Sequence, residues 1–230
     1  MDKKIEKCVW KIREEIADIC AACGREEHEI TLVAVSKQKS LDDILSAQRA
    51  GITIFGENRV QEVLAKNENA AGTVRWHFIG HVQTNKVKQL LPVVELIHSV
   101  DSVHLAETLS YQAVKSNRTA CVLLQVNTGG EESKFGFYPE TLLDSCSTIS
   151  TLKGIEVQGL MTMAPYTDDT SIISGCFSGL RRLFEKISEQ DFKNIHMKWL
   201  SMGMSNDYKI ALREGSNMLR IGSAIFGARN

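Results

Sequence analysis

Eight short runs rich in β-branched and aliphatic residues recur along the chain with helical patterns between them, and this alternation constrains the fold more than any other feature. The runs are ITLVAVSK from Ile30, ITIFGE from Ile52, RWHFIGH from Arg75, LIHSV from Leu96, ACVLLQVN from Ala120, EVQGLMTMA from Glu156, HMKWLSMG from His196 and MLRIGSAIFG from Met218. Strands that are apolar on both faces and alternate with helices belong to a parallel sheet covered on both sides. Eight such units in 230 residues favour an α/β fold of one kind, a single (β/α)₈ TIM-type barrel, over an open sheet.

Ile5, Val9, Ile12, Ile16, Ile19 and Cys23 recur at spacings of four and three, which predicts an extra amphipathic helix over residues 3–23, stopped by Gly24. The eighth strand nearly reaches the C-terminus, so this N-terminal helix is expected to cover barrel surface that a closing helix would otherwise cover. Ser40 to Asp43 reads as a capping box and Gly51 as the end of that helix; Thr84, Ser102 and Ser205 are further start signals. With no linker, repeat or low-complexity tract, the expectation is a single domain over residues 1–230.

A net charge of −1 supplies no field to collect nucleic acid or an anionic membrane surface. No apolar run approaches the ~20 residues of a membrane span. The first 23 residues mix acids and bases throughout, unlike a secretory signal. Six cysteines in that context read as reduced thiols of a cytoplasmic protein, and the Cys20/Cys23 pair, on a helical pattern, as packed or surface thiols.

Active sites of such barrels gather at the C-terminal ends of the strands. There, Lys37 shares strand parity with Val33 and Val35, which would point it inward. Two readings stay open. Burial lowers a lysine's pKa and makes it a nucleophile that forms a Schiff base with a carbonyl compound; alternatively its stem packs while the ammonium reaches water or pairs with a carboxylate such as Glu57. Lys39, beyond the strand, is expected to be solvated.

The loops after strands 7 and 8, SMGMSND and RIGSAIFG, occupy the usual phosphate position of these barrels. Gly203 and Gly222 would let backbone approach an anion, Ser201, Ser205 and Ser223 offer hydroxyls, and residues 206–213 supply a helix start. Capping would explain either loop singly; the two together point to a phosphate site. His77 and His81, four apart on one strand, lie ~13 Å apart at ~3.3 Å per residue, too far to share a metal, so no metal is expected. His77 reads as a packed or hydrogen-bonded residue and His81 as facing the pocket. The segment 127–139 is long for a βα loop and could be a lid, within which Lys134 reads as an ordinary surface lysine or as one that reaches an anion.

A lysine after strand 1 and a phosphate cradle after strands 7 and 8 resemble the pyridoxal phosphate homeostasis proteins, the small barrel relatives of alanine racemase. The resemblance runs through AVSK at 34–37, FGENRVQE at 55–62, WHFIGHVQTNK at 76–86, GLMTM at 159–163, LSMGMSND at 200–207 and RIGSAIFG at 220–227. It implies a fold-type III barrel in which Lys37 holds pyridoxal 5′-phosphate (PLP) as a Schiff base. Ser201, Ser205, Gly222 and Ser223 would surround the phosphate and Arg220 would face the pyridine nitrogen, with Asn58 and His81 near the cofactor. Ser223 stands where relatives often have threonine, which keeps the hydroxyl.

An arginine, always protonated, disfavours protonation of the ring nitrogen beside it and leaves a poor electron sink. The resemblance implies that the catalytic relatives add a β-domain, which is not expected here. The expectation is therefore a non-catalytic protein of intracellular PLP homeostasis that stores and delivers the cofactor and contacts apo-enzymes transiently. The alternatives are a PLP-dependent racemase-like enzyme and a cofactor-free Schiff-base aldolase.

Overall fold

The computed structural model describes residues 3–70, 72–131 and 135–227. Eight parallel strands close on themselves in sequence order: β1 Thr31–Val35, β2 Ile54–Glu57, β3 Arg75–Phe78, β4 Leu96–Val100, β5 Ala120–Gln125, β6 Ile155–Met161, β7 Ile195–Ser201 and β8 Met218–Ile221. The expected barrel is present. Its helices are α1 Lys3–Ala22, α2 Leu41–Arg49, α3 Val60–Asn69, α4 Val87–Leu90, α5 Val103–Lys115, α6 Leu142–Ile149, α7 Thr170–Ser188, α8 Tyr208–Arg213 and α9 Ser223–Phe226.

Local chemistry sets some of these boundaries. The Ser40 hydroxyl accepts from Asp43 N–H while the Asp43 carboxylate accepts from Ser40 N–H, so the capping box starts α2 as expected. Ser102 caps α5 through Leu105 N–H. Thr84 opens only a 3₁₀ turn, and its hydroxyl makes no cap. The run MLRIGSAIFG divides: the strand stops at Ile221 and Ser223–Phe226 turns into α9.

Alternation along the strands splits the core into two layers. Ala34, Phe55, Trp76, Phe78 and Ile97 face the helices, whereas Val33, Ile54, Leu96, Leu123, Met161 and Met218 fill the barrel, with Trp199 half-buried against them. The extra helix α1 buries Ile5, Val9, Ile12, Ile16 and Cys20 and packs on α2, α8 and α9, filling the place left by the four-residue α9. Among the described residues no helix is long and apolar enough to cross a membrane.

Candidate cofactor site at the barrel mouth

Above the apolar interior layer the inward-facing positions turn polar. Register pairs Arg220 with Val33 and His77 with Gly56, and two residues beyond Leu96 and Trp199 come His98 and Ser201. These side chains form one buried chain: His77 Nδ1 lies 3.0 Å from His98 Nε2, His98 Nδ1 3.1 Å from Ser201 Oγ, and Arg220 Nη1 donates to Ser201 Oγ at 2.6 Å. Arg220 also donates to the carbonyls of Ser201 and Thr162, both at 2.8 Å. Burial pulls its guanidinium down to about 10, with Asp207 acting the other way, so it stays cationic at neutral pH. Burial holds both imidazoles neutral: His77 is lowered to about 3 and His98 well below the usual histidine range.

Ser201 is fully buried and its hydroxyl is engaged by Arg220 and His98. Gly203 is likewise a packing glycine: at φ +95 its missing Cβ would lie 2.6 Å from Ala211 Cβ, so it seats α8 against the barrel.

The rim between β7 and β8 has the donor geometry of an anion site. Gly222 N–H and Ala224 N–H both point at one oxygen, Ser205 Oγ, at 3.3 and 3.2 Å. Ser223, beside them, is exposed. Lys37, half-buried, follows Ser36 in the turn after β1, and a Cβ on Gly222 would lie 3.4 Å from Val35 Cβ, so the two loops are neighbours across the β1–β8 seam. Two convergent N–H groups, two hydroxyls, a buried cation beneath and a lysine alongside fit a ligand carrying a phosphate, a weakly basic ring nitrogen and a carbonyl.

The other expected residues make the following contacts. The Asn58 backbone packs on Gly80, where a Cβ would meet Asn58 O at 2.2 Å. His81 is exposed at the rim, pairs with Asp101 at 3.0 Å and stacks on Phe135 with ring centroids 4.3 Å apart. Lys134 lies outside the described residues. Lys39 is half-buried; its Nζ donates to Phe226 O at 3.2 Å and ties α9 to the β1 loop. Glu57 faces α3 and pairs with Lys66 at 2.8 Å. His98 escaped the sequence reading, although its parity with Leu96 was the signal for an inward polar group.

The alanine racemase N-terminal domain family matches residues 11–230. A pyridoxal phosphate homeostasis protein of Aquifex aeolicus is 39% identical over 220 residues, covering 95% of this chain and 96% of that protein. The chain belongs to the pyridoxal phosphate homeostasis protein family. The structure of PipY from Synechococcus elongatus with PLP bound is 32% identical, covers 92% of this chain and 100% of that one, and superposes with a TM-score of 0.80. Alanine racemase of Clostridium difficile, 16% identical, shares the fold at a TM-score of 0.80 and covers 97% of this chain, which spans 57% of its length.

Proposed function

We propose that this member of the homeostasis family binds PLP at the barrel mouth, keeps the aldehyde masked in the cytosol and hands the cofactor to apo-enzymes. The observation that carries the reading is the pair of backbone N–H groups converging between β7 and β8, one loop away from Lys37 and directly above Arg220. Family membership and the PLP-bound PipY relative support it. Lys37 would hold the cofactor through Nζ; Ser205, Gly222 and Ser223 would hold its phosphate; Arg220 would face the ring nitrogen; Asn58 and His81 would border the site. Ser201 would act one step removed, by fixing Arg220.

PLP supplies a carbonyl for amine capture and a ring that withdraws electrons when its nitrogen is protonated. Arg220 offers that nitrogen only donors and stays cationic, so it favours the unprotonated ring. The relatives are named for homeostasis and not for a reaction, in keeping with a carrier. The carrier reading needs no second acid or base opposite Lys37, whereas racemisation would.

The test is to incubate the purified protein with PLP, reduce with borohydride and map the labelled peptide. The label is expected on Lys37 and not on Lys39, and the loaded protein is expected to restore an apo-enzyme while inverting no amino acid faster than free PLP does. Label found only on another lysine overturns the assignment of Lys37. Stereospecific turnover at ~1 s⁻¹ or more, a typical enzyme rate, overturns the carrier reading.

A further inference from the structure

We propose that Glu57, Glu62 and Lys66 are positioning residues for Lys37, forming a clamp on the peptide either side of it; the inference rests on the PLP site proposed above. Side-chain alternation puts Ser36 on the helix-facing side, with Ala34, when Lys37 follows the parity of Val33. Ser36 extends the β1 ladder by donating its N–H to Gly56 O at 3.0 Å, and its hydroxyl donates to Glu57 Oε1 at 2.6 Å. Lys66 Nζ donates to Ser36 O at 2.7 Å and to Glu57 Oε1 and Glu62 Oε1, both at 2.8 Å, which uses all three donors of an ammonium. Glu62 Oε1 in turn accepts Gln38 N–H at 2.5 Å.

The carbonyl before Lys37 and the amide after it are thus both held, by two α3 side chains one turn apart. Gln38 sits at φ +61, one of two non-glycine residues at positive φ among the described residues, a conformation that persists only where surrounding contacts enforce it. These groups are shielded: the side chains of Glu57, Lys66 and Glu62 are 0%, 13% and 19% exposed. Anchoring β2 to α3 would need only the Glu57–Lys66 pair. The contacts to Ser36 O and Gln38 N–H add nothing to that anchor and fix the one turn that carries the reactive amine.

Capture joins Lys37 Nζ to the aldehyde carbon of PLP as a C=N bond with loss of one water, a step sensitive to the placement of the amine. Pyridoxine 5′-phosphate has an alcohol in place of that aldehyde and uses the phosphate and ring contacts alone, so the two probes separate capture from general binding. In Glu62→Ala and Lys66→Met the dissociation constant for PLP is expected to rise about tenfold or more, with slower growth of the bound chromophore. That for pyridoxine 5′-phosphate should change less than about twofold, and Glu62→Gln, which keeps an oxygen for Gln38 N–H, should retain most of the PLP affinity. If Lys66→Met does not fold, the more exposed Glu62→Ala and Glu62→Gln pair decides alone. Unchanged PLP binding, or equal weakening of both probes, overturns the clamp. An unmodified protein that binds neither probe overturns the PLP reading and this inference with it.

Discussion

Arg220 can be a buried cation because every group around it takes a donor. Its Nη1 gives a hydrogen to Ser201 Oγ, which leaves the Ser201 hydrogen for His98 Nδ1; in that arrangement His98 carries its proton on Nε2 and donates to His77 Nδ1. That assignment needs two neutral imidazoles, and burial provides them. The cost appears at low pH. Below the ordinary histidine value of 6.5 the unfolded chain binds protons at both residues, whereas native His77 does not until about 3 and His98 not until well below 6.5. The unfolded state holds more protons in that window, so stability falls as pH falls from about 6.5, by up to ~1.4 kcal/mol per pH unit for each histidine. Urea unfolding at pH 7, 6 and 5 should show this acid limb, and His98→Asn should flatten it. An identical slope in that variant would mean His98 is protonated in the native state. Of this chain, Arg220, Ser201 and His77 were visible in the sequence as single residues. Their connection was not, because it depends on register between strands that are distant in sequence.

At the scale of elements the periodicities carried far. LIHSV is β4 to the residue, and α1 ends within one residue of its expected limit because Gly24 takes φ +66. What the pattern could not resolve was where an apolar run changes from strand to helix. SAIF is as apolar as the strand before it, and the turn into α9 is held by the Ser205 oxygen, which accepts from Gly222 and Ala224 N–H, and by Lys39 on Phe226 O. Ser205 was legible as a helix start, but for the wrong helix: α8 begins at Tyr208, after Asp207 has accepted Met204 N–H. The covering role of α1 was expected from the lack of room for a long helix after the eighth strand, and it gives a stability prediction. Ile16 is 2% exposed in the core while Trp10, on the same helix, is 62% exposed. Ile16→Ala should cost about 2–5 kcal/mol and Trp10→Ala no more than about 0.5 kcal/mol, read from denaturant midpoints at constant slope. Equal effects would mean that α1 does not seat on α2, α8 and α9 as described.

For the whole molecule, the seam that matters is the one between β7 and β8. Their ladder has a single register pair, Ser201 with Met218, whereas β1 and β8 share four. Side chains supplement the few backbone bonds there: Asn217 Oδ1 accepts Leu200 N–H at 2.7 Å, Asn217 Nδ2 donates to Lys198 O at 2.8 Å, and Arg220 Nη1 donates to Ser201 O at 2.8 Å. The barrel is thinnest where the proposed phosphate donors converge. A phosphate held by Ser205 on one side and by Gly222 and Ser223 on the other would bridge that seam, and Lys37 would tie the same ligand to β1. Binding should therefore stabilise the closure of the barrel more than its far side. At a ligand concentration 100 times the dissociation constant the gain is ~2.7 kcal/mol, which for a chain of this size is a rise in Tm of about 5–11 °C. Hydrogen exchange should slow first at Met202 and Arg220, whose N–H groups cross the seam to Met218 O and Gly203 O at 3.2 and 3.0 Å. Amides of β3 and β4 should change little. Protection spread evenly around the barrel, or a Tm unmoved by saturating PLP, would place the ligand away from the β7–β8 seam.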